Sequence, residues 1–329
     1  MLWLNILLFA VGLVALIKGG DWFVDGASGI ARRFHLPELL IGATVVSIGT
    51  TLPEVMVSAQ GAMNGSGGMA YGNAIGSIIC NTALIAALTM TIKPGRAERK
   101  PMILPVIFFV IAVIFYVSIA YLTGFFSLWV GICLLVLFVL YILLSLWQMK
   151  KNPVMEEADS PTEELVEKSG KIPPLVKEIV LLVIGAALIA VGARLLVNHG
   201  TEIAKALGVP DTVIALTFVA LGTSLPELVT AITALIKGHG SLSLGNIIGA
   251  NLFNLVFVSG IATVINPFPV PSESTFMGYP TSLVVDIPVM LVVMSILVIP
   301  TLIRQKLSRV QGISLLCIYA AFCVFQFVI

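Results

Sequence analysis

The sequence predicts an all-α polytopic membrane protein with ten transmembrane helices in two inverted five-helix repeats. Three observations carry that prediction. Of 329 residues, 58% are apolar and only 11% are charged, whereas soluble domains run near half apolar and about a quarter charged. The apolar residues fall in long runs, such as Leu104 to Leu122 and Phe126 to Trp147, and a spanning helix needs roughly 20 of them. The chain also matches itself at an offset of 173 residues. A transmembrane barrel would show short alternating segments instead.

Taken in order, the runs place spans at 2–31, 38–62, 70–92, 103–122, 125–148, 174–206, 210–236, 242–266, 282–303 and 311–328. The first run, from Met1 to Ile17, lacks a basic start and a small-residue cleavage site, so it reads as a retained helix. The first and sixth spans are long, with charges toward their ends, as expected of tilted helices that emerge from the bilayer. Residues 150 to 177 break the rhythm with lysines, acidic residues and prolines. They divide the chain into a first repeat at 1–149, a linker at 150–173 and a second repeat at 174–329. A hydrated linker needs no ligand; a regulatory cation is the alternative reading of its acidic cluster.

The turns report orientation. Arg32 and Arg33 follow span 1, and Lys93, Arg96, Arg99 and Lys100 follow span 3. Lys237 follows span 7, and Arg304, Lys306 and Arg309 follow span 9. The even-numbered turns are nearly free of Lys and Arg, with Lys205 the exception. All basic turns therefore share one side. The positive-inside rule makes that side cytoplasmic, with the linker inside and both termini outside. The expected location is the plasma membrane.

Net charge is +1, which gives no basis for nucleic-acid binding. Cys80, Cys133, Cys317 and Cys323 all sit within apolar runs without metal-ligand spacing. They read as small buried side chains.

The repeat is densest where TVVSIGTTLPE (44–54) falls on TFVALGTSLPE (217–227), identical at 7 of 11 positions. A second block, GNAIGSIICN (72–81), falls on GNIIGANLFN (245–254) with 5 of 10 identical. Five spans per half is an odd number, so the second half enters the membrane upside down. Inverted repeats commonly build secondary transporters with a substrate site near the midplane. A channel or receptor can be built the same way, so the repeat leaves function open.

Of 17 acidic residues, only Glu54 and Glu227 lie deep in apolar spans, at the same repeat position. A charge at mid-bilayer costs about 2.5–3.5 kcal/mol or more, which marks such residues as functional. Residues three and four apart share a helix face. Ser47, Thr50, Thr51, Glu54 and Ser58 thus form one polar stripe, and Thr223, Ser224 and Glu227 a second. Ser77 and Asn81 add polar groups on span 3, and Asn254 matches Asn81 on span 8. Pro53 and Pro226, read as helix-interior prolines, would free the carbonyls of Gly49 and Gly222. His35, His199 and His239 fall in or near turns. The candidate site is thus built of oxygens with two formal negative charges. Such sites suit hard cations, and Ca²⁺ takes 6–8 oxygens without strict geometry. Two glutamates would neutralise one Ca²⁺, and Na⁺ could use the same oxygens once Ca²⁺ leaves.

GTTLPE (49–54) and GTSLPE (222–227), each followed by a GN…G…N block, closely resemble the two α-repeats of the sodium/calcium exchanger family, within the cation/Ca²⁺ antiporter superfamily. The resemblance covers essentially the whole chain. It implies Na⁺/Ca²⁺ antiport by alternating access, with spans 1 and 6 sliding across a core of the other eight. It implies Glu54 and Glu227 as central Ca²⁺ ligands, helped by the Thr50 and Thr223 carbonyls. Flanking Na⁺ sites would use the Ser47 and Ala220 carbonyls with Thr51, Ser77, Thr223 and Ser224, while Asn81 and Asn254 line the middle. The ions are cargo, so no cofactor is expected, and no obligate protein partner is evident beside the lipid bilayer.

Two positions depart from the family pattern. It often has Ser where Ala250 stands, which removes a hydroxyl from one Na⁺ site. It often has Asp where Asn254 stands; potassium-dependent relatives need that Asp, so Asn254 points to potassium independence. The GNAxE-type motif of the proton-coupled branch is absent. Ca²⁺/H⁺ exchange through the same glutamates is the alternative reading. An enzyme is not expected: an intramembrane aspartyl hydrolase would want a GxGD-like segment. A channel would use the glutamates as a selectivity ring.

Overall fold

The computed structural model describes residues 2–151, 174–207, 222–272 and 274–328. Among them, nine helices are long and apolar enough to cross a membrane. In chain order they are α1 (Leu2–Arg33), α2 (Glu38–Met63), α3 (Gly67–Ile92), α4 (Arg99–Thr123), α5 (Leu128–Lys150) and α6 (Leu175–Ala206), then α8 (Gly240–Ile265), α9 (Ser282–Arg304) and α10 (Arg309–Gln326). Between α6 and α8 lies the shorter α7 (Leu225–Ile236). This is a multi-pass integral membrane protein. The central linker, and the part of the expected seventh span before Gly222, lie outside the described residues.

The turns sort into two faces. On one, the turn after α3 pairs with the turn after α9, through Ala97 N–H to the Gln305 carbonyl and Leu307 N–H to the Gly95 carbonyl. Nearby, His239 after α7 meets Glu38 at the start of α2 at 2.6 Å. These are the basic turns, gathered on one side as the charge pattern predicts. On the other face, β1 (Phe125–Phe126) pairs with β2 (Phe268–Pro269), and the Asn266 amide donates to the Ala62 carbonyl at 3.2 Å.

α1 and α6 are repeat equivalents and form a separate pair. Gly12 abuts Gly192, Gly19 abuts Gly185 and Ile189, and Gly26 abuts Leu182. The numbers rise on one helix as they fall on the other, so the two run antiparallel, as inversion requires. In a bilayer, small residues let backbones approach and so gain packing where no hydrophobic force acts between helices.

The other helices form the core. α8 is its centre, with 83% of its spanning window buried. Its glycines allow contact with α2: a Cβ on Gly245 would strike the Leu39 carbonyl, and one on Gly249 would strike Ser47 and Ala43. Aromatic rings fill the rest. Phe138 stacks on Phe257 at 4.4 Å and meets Phe253 edge-on, and the Tyr141 hydroxyl donates to the Ala43 carbonyl at 2.8 Å.

Several boundaries depart from the sequence reading, among them α4, which begins at Arg99 rather than 103. α3 begins at Gly67, ahead of the expected 70. Pro226 lies in the first turn of α7, preceded by a turn at Gly222–Ser224, and not in a helix interior. A proline is tolerated there because its missing N–H would be unpaired in any case. Pro53 does sit inside its helix, as expected. His199 also differs: it lies within α6, 3.0 Å from the Asn5 side-chain oxygen.

Candidate functional site

The polar stripe of α2 turns wholly inward. Ser47, Thr50, Thr51, Glu54 and Ser58 are all buried. Glu54 and Glu227 have no exposed surface, and their carboxyls are near enough to interact electrostatically. The halves interlock here, since the Thr50 and Thr51 hydroxyls of the first face the Glu227 carboxyl of the second.

The helix that carries Glu54 is loosened beside it. Pro53 has no N–H for the Gly49 carbonyl, so one backbone oxygen beside Glu54 lacks its helical partner. α2 also contains a π-helical turn at Gly42–Val46. Two more begin at repeat-related asparagines, Asn81–Ala86 in α3 and Asn254–Val258 in α8. Such turns occur often at functional sites. Serines five residues on serve the first carbonyl of two of them: Ser47 Oγ to Gly42 at 2.8 Å, and Ser259 Oγ to Asn254 at 3.1 Å.

Two asparagines that the sequence reading did not single out hold the site together. The Asn73 amide donates to the Glu54 carbonyl at 3.0 Å and to Ser58 Oγ at 2.8 Å. Asn246 stands 173 positions on. Its side-chain oxygen accepts from Thr50 Oγ1 at 3.2 Å, and Ser47 Oγ lies 3.0 Å from its carbonyl. Both are the N of the GN dipeptides that open the second repeat block, so that shared dipeptide was the available signal.

Several buried polar atoms have no hydrogen-bonding partner of good geometry among the described residues. They include all four carboxylate oxygens of Glu54 and Glu227, Thr51 Oγ1, Ser224 Oγ, Thr230 Oγ1 and the amides of Asn81 and Asn254. A buried polar group without a partner is costly, and a desolvated cation supplies what carboxylate, hydroxyl and amide oxygens need. Among the described residues, no three His, Cys, Asp or Glu side chains cluster as a metal centre. Two carboxylates with neutral oxygens therefore suit an exchangeable hard cation.

Of the expected site residues, Glu54, Glu227, Thr50 and Thr51 come together directly. Ser224 immediately precedes α7, its hydroxyl making no hydrogen bond to the first turn, and approaches Cys80 on α3. Ser77, Asn81 and Asn254 are buried on α3 and α8. Thr223 is half-buried in the turn before α7, and Ala220 lies outside the described residues. Ala250 is wholly buried without a polar atom.

Known proteins are similar to this chain along nearly its whole length. The family model described as sodium/calcium exchanger protein matches residues 4–147 and 177–328. An uncharacterized membrane protein of Methanocaldococcus jannaschii is 36% identical over 97% of both chains. The sodium/calcium exchanger MaX1 of Methanosarcina acetivorans is 30% identical over the full length of both. A solved structure of the sodium-calcium exchanger NCX_Mj superposes with a TM-score of 0.79 and 33% identity, covering 98% of each chain. With both halves matched, the chain belongs to the sodium/calcium exchanger protein family.

Proposed function

We propose that this chain exchanges Na⁺ for Ca²⁺ across the plasma membrane by alternating access, with Glu54 and Glu227 as the central ligands. Membership of an exchanger family supports antiport of Ca²⁺ against another cation. One observation carries the finer reading. The carboxyls of Glu54 and Glu227 are wholly buried, repeat-related and, among the described residues, without a hydrogen-bonding partner of good geometry, beside the hydroxyls of Thr50 and Thr51.

The chemistry follows from charge. Two carboxylates balance one Ca²⁺, helped by the Thr50 and Thr223 carbonyls, and Thr51, Ser77, Thr223, Ser224 and the carbonyls of Ser47 and Ala220 supply neutral oxygens for Na⁺. Asn81 and Asn254 line the centre. Because both ions use the same glutamates, one must leave before the other binds, and that competition couples their opposite movements. The ions are substrates, and the cycle needs no resident cofactor. We read residues 1–149 and 174–329 as the two exchanger halves, with the basic face and the linker in the cytoplasm and both termini outside.

Radioactive Ca²⁺ uptake into vesicles holding the purified protein tests this, with Na⁺ high inside, low outside, and pH equal. Uptake should require internal Na⁺ and fall more than about 100-fold in Glu54→Gln and Glu227→Gln, since each loses a charge made for the buried ion (about 2.8 kcal/mol or more at tenfold per 1.4). Uptake driven by a pH gradient and indifferent to Na⁺ would move the protein to Ca²⁺/H⁺ exchange, a reading that Ala250 favours by leaving one hydroxyl fewer for Na⁺.

A further inference from the structure

Lys237 follows α7 directly and reaches across to α1. Its Nζ donates to Asp25 Oδ1 at 2.8 Å and to the Asp21 carbonyl at 2.9 Å, and lies 3.5 Å from Asp21 Oδ1. The helices touch beside it. A Cβ on Gly20 of α1 would stand 2.7 Å from Val229 Cγ1 and 3.0 Å from Thr233 Oγ1 of α7. At the basic face the way between α1 and α7 is therefore closed by helix contact and tied by one ammonium held between two carboxylates.

The inverted equivalent of this junction, between α6 and α2, has different chemistry. At the offset of 173, Lys237 matches Asn64, Asp21 matches Arg194, Asp25 matches Asn198 and Gly20 matches Ala193. Arg194 meets Met56 Sδ at 3.7 Å, and among the described residues α6 packs less extensively on α2 than α1 does on α7. The crevice between Ala186, Ile189 and Ala190 of α6 and Gly49, Thr50 and Pro53 of α2 is also lined by Phe23 of α1 and Pro226 of α7, and it has no room for a water molecule. On the basic face, Arg33 of α1 also pairs with Glu178 of α6 at 3.4 Å, so a restraint on α1 restrains both helices.

Two chemically equal halves would give the two access states equal weight. An interaction made in one state only shifts that balance by its own free energy. We propose that Lys237, with Asp21 and Asp25, is a one-sided latch that holds α1 on α7 and favours the state closed at the basic face. The latch sets the sidedness of the exchanger; it touches no ion. The inference rests on the alternating-access reading. The pair is partly exposed, with 25% of the Lys237 side chain accessible and 51% of that of Asp25. Exposed pairs of this kind are modest, so the shift in population is about two- to five-fold.

The test uses the full chain in membrane vesicles of both orientations, with the half-saturating Ca²⁺ concentration measured at each face. Lys237→Met and Asp25→Asn should lower it at the basic face and raise it at the other, so that the ratio of the two values changes about two- to five-fold, because apparent affinity scales with the fraction of protein open to each face. Lys237→Arg should behave as the unaltered protein. Changes in the same direction at both faces, loss of maximal rate alone, or no change would overturn the latch. A second measurement needs no transport: spin labels on Arg32→Cys and Ile236→Cys, with Cys133 and Cys317 replaced by Ser, report the α1–α7 distance. Lys237→Met should add a longer-distance population, and an unchanged distribution would overturn the latch. If the unaltered protein moves no Ca²⁺, the antiport reading fails, and the distances alone decide whether the latch exists.

Discussion

Glu54 and Glu227 were legible because ionised residues in apolar runs are rare and costly, and because the repeat shows the event twice. Asn73 and Asn246 were not, although they lie in the repeated blocks, because an amide in a helix can ligate, cap or pack with equal ease. Only the contacts give the role. The Asn246 oxygen faces Thr50 and its carbonyl faces Ser47, so it aims groups that face the ion without needing to bind it. Asn246→Ala should therefore raise the half-saturating Ca²⁺ concentration about ten-fold, the effect of losing roughly 1.4 kcal/mol of orientation. Maximal rate should stay within a few-fold. A rate that collapses at unchanged affinity would show that Asn246 acts during translocation.

At the scale of elements, hydropathy located the helices and missed their irregularities. Pro226 was placed inside a helix because the chain is apolar on both sides of it, and apolarity does not distinguish a helix start from its middle. The π-helical turns at Asn81 and Asn254 were equally silent, since one extra residue per turn leaves no mark on an apolar run. Glycines in α8 were visible, but their reason was not. Gly245 faces the Leu39 carbonyl so closely that a Cβ must displace α2 or α8. Gly245→Ala should therefore destabilise the folded protein by about 1–3 kcal/mol, the usual cost of overpacking, despite Ala being the better helix former. Thermal unfolding in detergent, followed by size exclusion, measures it; an unchanged midpoint would mean that α2 moves aside freely.

At the scale of the molecule, the repeat gave the inversion, the basic turns gave the shared face, and five spans per half gave the antiparallel α1–α6 pair. How closely that pair packs was beyond the sequence: Gly12 abuts the Gly192 carbonyl, Gly19 the Gly185 carbonyl and Gly26 the Leu182 backbone. Under the proposed cycle this arrangement separates two properties. The glutamates and the asparagines lie on α2, α3, α7 and α8, so binding depends on the core. Access depends on α1 and α6 moving as one body, held by contacts such as Gly19 to the Ile189 backbone, where a Cβ would lie 2.8 Å from the nitrogen. A larger side chain there should spread the pair and leave the core intact. Gly19→Val should accordingly lower Na⁺-dependent Ca²⁺ uptake more than about ten-fold, as expected for at least 1.4 kcal/mol of lost helix packing. Ca²⁺ binding to the detergent-solubilised protein, measured by titration calorimetry, should stay within a few-fold of the unaltered chain. If binding falls as far as uptake does, the pair is part of the site, and the division into a binding core and a moving pair is wrong.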